Sequence, residues 1–85
     1  MTLDRTKTFK RYYKKLPDQI KDKLDRQLIR VAVDFQHPSL HTKKIKGKDN
    51  IWEARVDIHY RFTFRVIDDV IRLRKVGPHD ILQNP

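Results

Sequence analysis

The chain contains no cysteine, which removes disulfides, thiolate chemistry and any cysteine-based zinc site from consideration. With two glycines and four prolines in 85 residues, it holds no linker, internal repeat or low-complexity tract. No apolar run approaches the roughly 20 residues of a membrane span. The first residues are charged rather than apolar, so neither a signal peptide nor a membrane partner is expected, and the default location is cytoplasmic. Acidic residues are also scarce: eleven Asp and Glu face twenty Lys and Arg.

What remains is a small basic body. Residues 1–85 make one domain, and a chain of this size buries only about 60% of its unfolded surface, so its core must be well patterned. The formal charge of +9 attracts polyanions at long range, and each phosphate it neutralises releases counterions. Nucleic acid or an acidic protein segment is therefore the natural partner.

Two hydrophobic periods divide the chain. Phe9, Tyr12, Tyr13 and Leu16 recur at helical spacing, with Lys7, Lys10, Arg11, Lys14 and Lys15 on the outer side. Pro17 suits the first turn of a new helix. Ile20, Leu24, Gln27, Leu28, Val31 and Phe35 mark one face of that helix, which ends before His37-Pro38. Two antiparallel helices joined at "LPD" follow, and "MTL" before them reads as an edge strand. "HPSLHTKKIKGKDN" is a loop or short strand rich in turn formers and lysine.

Beyond it the period becomes two. Trp52, Ala54 and Val56 alternate with Glu53, Arg55 and Asp57; Phe62, Phe64 and Val66 alternate with Arg61, Thr63 and Arg65; a third run spans Val70 to Val76. A two-residue loop at Asp68-Asp69 sets Phe64 against Leu73, Val66 against Ile71, Arg65 against Arg72 and Thr63 against Arg74. A three-residue loop at Ile58-His59-Tyr60 sets Asp57 beside Arg61 and Glu53 beside Arg65. Apolar residues then pair with apolar ones, as a half-buried sheet requires. The helices cover that face, Trp52 included. The open face carries Glu53, Asp57 and five arginines: 55, 61, 65, 72 and 74. These charges either form solubilising cross-strand ion pairs or grip phosphate, for which planar guanidinium forks are suited.

"KKIKG", "WEARV", "YRFTF" and "VGPHD", in this order after a helical hairpin, resemble the RelE/ParE superfamily of bacterial toxin–antitoxin toxins. The likeness extends over nearly the whole chain. It implies an α+β fold, βααβββ, with a two-helix hairpin on one face of a small, mainly antiparallel twisted sheet. It also implies a ribosome-dependent endoribonuclease that cleaves mRNA in the ribosomal A site without a metal or other cofactor. In that chemistry the ribose 2′-OH attacks the adjacent phosphate, and a base, a cation for the phosphorane and an acid for the leaving 5′-oxygen are needed.

Carried over by position, Arg61 in "YRFTF" is expected at the phosphate. His79 in "VGPHD" takes the place of a catalytic arginine or histidine, and histidine exchanges a proton near neutral pH. Asp80 either orients that imidazole or caps the turn. Glu53 either serves as the base or pairs with Arg65; lysines used on the first hairpin strand by some relatives have no counterpart here. Lys43, Lys44, Lys46, Lys48, Arg55 and Arg74 are expected to hold RNA phosphates. Tyr60, placed in the loop, substitutes for a missing C-terminal stacking aromatic. His41 and His59 read as polar loop residues within reach of the face. The spacing of His37 and His41 suits a metal only on a helix, which Pro38 disfavours, so no metal site is expected. The partner implied is an antitoxin with an acidic, partly disordered segment. The alternatives are a ParE-like, non-enzymatic inhibitor of DNA gyrase and a non-toxic basic RNA-binding module.

Overall fold

Thr6 begins the helical layer. In the computed structural model, which describes residues Met1–Pro85, its hydroxyl accepts from Phe9 N at 3.1 Å and donates to Leu73 O at 2.7 Å. One side chain thereby caps helix α1 (Lys7–Lys14) and ties it to the sheet. Pro17 sits at the cap of α2 (Asp18–Val33), where its missing N–H costs nothing. Phe9 from α1 and Ile20, Leu24, Leu28 and Val31 from α2 are buried. Phe35 lies past the end of α2 yet still packs against the core, edge-on to Trp52 and Phe64.

Five strands form one sheet: β1 (Thr2–Arg5), β2 (Lys43–Lys44), β3 (Ile51–Arg55), β4 (Tyr60–Ile67) and β5 (Val70–Pro78), in the order β1-β5-β4-β3-β2. β1 runs parallel to β5 and the other pairs are antiparallel. The three-stranded sheet read from the alternation is thus extended on both edges. Phe62, Phe64, Ile71, Leu73 and Val76 supply the sheet's share of the core.

The Asp68-Asp69 hairpin matches expectation: Phe64 meets Leu73, Arg65 meets Arg72 and Val66 meets Ile71. Asp68 takes up the left-handed backbone of the turn, φ 52°. One pair further on, Thr63 meets Lys75 rather than Arg74, because a bulge interrupts β5. Leu73 and Val76 are both buried although two residues separate them. Strict alternation cannot place both inward, and the extra residue resolves the conflict.

The other hairpin is shifted by two residues from the expected register. Glu53 pairs with Thr63, and Arg55 with Arg61. The cause is Asp57, whose Oδ1 accepts from His59 N at 2.9 Å and Tyr60 N at 2.8 Å. These bonds close the loop before Tyr60, which becomes the first residue of β4. A two-residue slip preserves the faces, so Glu53, Arg55, Arg61 and Arg65 stay opposite the helices. Asp57 does not: it turns back to meet Lys23 of α2 at 3.3 Å.

Candidate active site

At one end of the open face a cavity of about 450 Å³ is lined by His41, Thr42, Lys43, Glu53, Arg55, Arg61 and His79. Every lining residue is polar. They come from the β2 approach, β3, β4 and the 3-10 turn His79–Gln83 that follows β5.

Arg61 is only 7% exposed. Its Nη1 donates to the carbonyls of Asp57 at 2.7 Å, Tyr60 at 3.0 Å and Ile58 at 3.2 Å. Three backbone acceptors, two in the adjoining loop and one at the start of β4, fix the guanidinium, while its Nε and Nη2 make no hydrogen bond within the protein. Such a group is preorganised to receive an oxyanion. The loop that holds it is closed by Asp57. Burial acts to raise the Asp57 carboxyl, but the His59 and Tyr60 amides and the Lys23 ammonium prevail and hold it below the ordinary carboxylate range.

Glu53 is buried among cations: Lys43 is its cross-strand neighbour on β2, and Arg55 and Arg61 line the same cavity. The expected pair with Arg65 does not form, since the register brings Thr63 to Glu53 and Ile51 to Arg65. Nor does Asp57 pair with Arg61. The ion pairs are Lys21–Asp18, Lys23–Asp57 and Arg72–Asp4, so none of the cleft's cations is locked in a direct ion pair, and Glu53 is the one carboxylate among them.

His79 opens the C-terminal turn, and its amide donates to His59 O at 3.1 Å. That bond docks the turn on the same loop that holds Arg61. Gly77, level with Arg61 in the ladder, is also required here. A Cβ on it would lie 2.8 Å from Ile81 Cγ2, so only glycine lets the turn fold this closely over β5.

The structure separates the other expected residues from this cavity. Asp80 lines a different hollow, of about 260 Å³, with Tyr12, Lys75, Ile81 and Asn84, and makes no hydrogen bond to His79. It caps nothing either, because the 3-10 turn has no side-chain cap. Lys44 lies opposite Trp52 and its Nζ sits 5.5 Å from that ring, away from the cleft. Lys46 is exposed outside the cavity. Lys48 and Arg74 line a hollow of about 230 Å³ at the other end of the open face. There Arg74 Nε and Thr63 Oγ1 donate to Pro85 O at 3.2 and 3.0 Å. Burial and the neighbouring Arg65 push the Arg74 guanidinium below its ordinary value. Tyr60 is half-buried against the hydrophobic core on the helical side, so it offers no platform for a base. His41 and Thr42 are the lining residues that the strand pattern did not assign.

An α+β chain with a helical hairpin on one face and this polar cleft on the other has the fold of the RelE-type toxins. Among solved structures, a chain of the RelB-RelE antitoxin-toxin complex from Methanococcus jannaschii superposes with a TM-score of 0.77 at 24% identity, covering 99% of this chain and 96% of that one. The YoeB/ParE toxin from Agrobacterium tumefaciens gives 0.79 at 16% identity over 93% and 99% of the two chains. The isolated E. coli RelE toxin gives 0.72 at 21% identity over 91% and 82%. By sequence the chain matches no family model and no curated protein.

Proposed function

We propose that this chain is the toxin of a toxin–antitoxin pair and that it cleaves mRNA in the ribosomal A site. The observation that carries the reading is the cleft itself. His79, Arg61, Glu53, Arg55 and Lys43, distant in sequence, line one all-polar cavity on a fold shared with known toxins.

In this reading Lys43 and Arg55 hold the phosphates flanking the scissile bond, and Arg61 meets the charge that develops on the phosphorane. His79 donates the proton to the departing 5′-oxygen. The product pair is a 2′,3′-cyclic phosphate and a 5′-OH, and neither a metal nor an organic cofactor takes part. The partner is a protein with an acidic segment that covers the basic face; similar folds are recorded in RelB-RelE antitoxin-toxin complexes. A binding-only gyrase inhibitor has no use for a preorganised guanidinium beside a proton-exchanging side chain.

Inducing the chain in bacteria and mapping mRNA 5′ ends by primer extension tests the proposal. Discrete cuts within translated codons and growth arrest are expected for the native chain, and a loss of both for His79→Ala with its fold and antitoxin binding intact. Supercoiling inhibition without mRNA cuts, or full activity of His79→Ala, would overturn it.

A further inference from the structure

The cleft holds a second imidazole. His41 lines the same cavity as His79, and its position follows from the ladder. Lys43 pairs with Glu53 on β3, and Gln27 bridges Ser39 O and Arg55 O, so the turn ending at His41 is tied to the Arg55 end of β3. Arg55 pairs with Arg61, and Arg61 with Gly77; His79 lies just beyond. His41, Arg55, Arg61 and His79 thus line one cavity, the imidazoles coming from the two outer segments and the guanidinium groups from β3 and β4 between them. Three interstrand spacings separate β2 from β5, about 14 Å at the backbone. Both imidazoles border the single cavity of about 450 Å³ that lies across this span.

The turn also fixes where His41 stands. Its φ of 48° is left-handed, as suits the residue that closes the 3-10 turn Pro38–Leu40. The surrounding chain fixes it. Leu40 is fully buried, His41 N donates to Pro38 O at 3.2 Å, and His37 Nδ1 accepts from Ser39 N at 3.2 Å. Gln27 Nε2 donates to both Ser39 O and Arg55 O, tying the His41 turn to the strand that carries Arg55. Held by this capped turn, His41 is exposed and lines the cleft.

We infer that His41 is the general base that takes the 2′-hydroxyl proton, acting opposite His79; this rests on the nuclease reading. As the proton passes to His41, the 2′-oxygen bonds to phosphorus. The bond from phosphorus to the 5′-oxygen breaks, its electron pair stays on that oxygen, and His79 supplies the proton it needs. One proton enters the enzyme and one leaves, with no water, oxidant or metal consumed. Arg61 faces the non-bridging oxygens between the two, and Arg55 holds the flanking phosphate beside it. Glu53 and Lys43, the other charged groups facing His41, lie one pair deeper along β3 and β2.

The test is single-turnover cleavage on ribosomes programmed with mRNA carrying either the natural linkage or a 5′-bridging sulfur, whose departure needs no acid. His41→Asn is the variant of choice, because asparagine tolerates a left-handed backbone; unchanged thermal melting verifies the fold. With the natural linkage, both His41→Asn and His79→Ala should lose at least about 100-fold, the lower end of general acid–base contributions. With sulfur, His79→Ala should recover and His41→Asn should not. The acidic limb of the native pH–rate profile should vanish in His41→Asn. Cleavage by His41→Asn at the native rate, or failure of Glu53→Gln alone on the sulfur substrate, overturns this assignment. A native chain that cuts neither substrate overturns the nuclease reading and this assignment with it.

Discussion

Arg61 illustrates how little a side chain's identity says without its surroundings. On a strand that alternates apolar and charged residues, an arginine is ordinarily a solvated group. Here two loop carbonyls and that of Tyr60 capture one nitrogen, and the loop exists in that shape because Asp57 caps it and Lys23 holds Asp57. Removing the Asp57 carboxylate leaves two backbone donors without their acceptor. Asp57→Ala should therefore lower stability at pH 7 by about 1–3 kcal/mol, the penalty for orphaned polar groups. The pH dependence has a definite sign. A carboxyl whose folded pKa is depressed stabilises fully above its unfolded value near 3.9, and the contribution is lost as pH falls through the folded value. Urea denaturation of the native chain and Asp57→Ala at pH 7 and pH 3 should show the gap between them narrowing in acid. A constant gap would mean that the carboxylate is not what holds the loop.

At the scale of elements, the C-terminal turn depends on one missing methyl group. Gly77 has a backbone that any residue can adopt, so its role is spatial: the Ile81 side chain occupies the volume that a Cβ would need. Gly77→Ala should cost about 1–3 kcal/mol by overpacking and should displace His79 with the turn, reducing cleavage more than folding. In an Ile81→Ala background the same substitution should cost little, since the methyl it would strike is gone. Melting and cleavage measured over the four proteins of this cycle decide the point. Equal costs in both backgrounds would exclude the contact.

Much at this scale is legible in the sequence. The helical stripe around Leu24 and the alternation from Trp52 to Val66 assign both layers and both faces. The Asp68-Asp69 loop sets its hairpin register unaided. Side-chain chemistry in the turns was harder to read. Asp57 looked like a face residue because it continues the alternation, yet its carboxylate is better satisfied by two amides than by a cross-strand arginine. The spacing of Leu73 and Val76 carries the bulge, but only once both are known to be buried. His41 belongs to no periodic pattern, and its place depends on a two-residue strand pairing far along the chain. Asp80 and Tyr60 depart from the sequence expectation for related reasons. Adjacency to His79 does not bring Asp80 into the cleft, and a tighter loop moved Tyr60 onto the core side of β4.

For the whole molecule the question is whether +9 acts as a diffuse field or through a few placed cations. Both attract RNA and both weaken with salt, but they predict different slopes. Each phosphate neutralised on a single strand contributes about −0.7 to the dependence of log affinity on log salt. Lys43 lines the cleft, whereas Lys10 sits on α1 beside Arg5, Phe9 and Tyr13, in a separate hollow. With a 2′-O-methyl RNA oligonucleotide, which binds but cannot be cut, Lys43→Gln should reduce the magnitude of the slope by about 0.7. Lys10→Gln carries the same change in net charge and should leave the slope close to native. Equal reductions in the two variants would show that RNA reads the overall charge, and the cleft would lose its claim to the strand. A reduction confined to Lys43→Gln would locate the counterions released on binding within the cleft where the bond is to be broken.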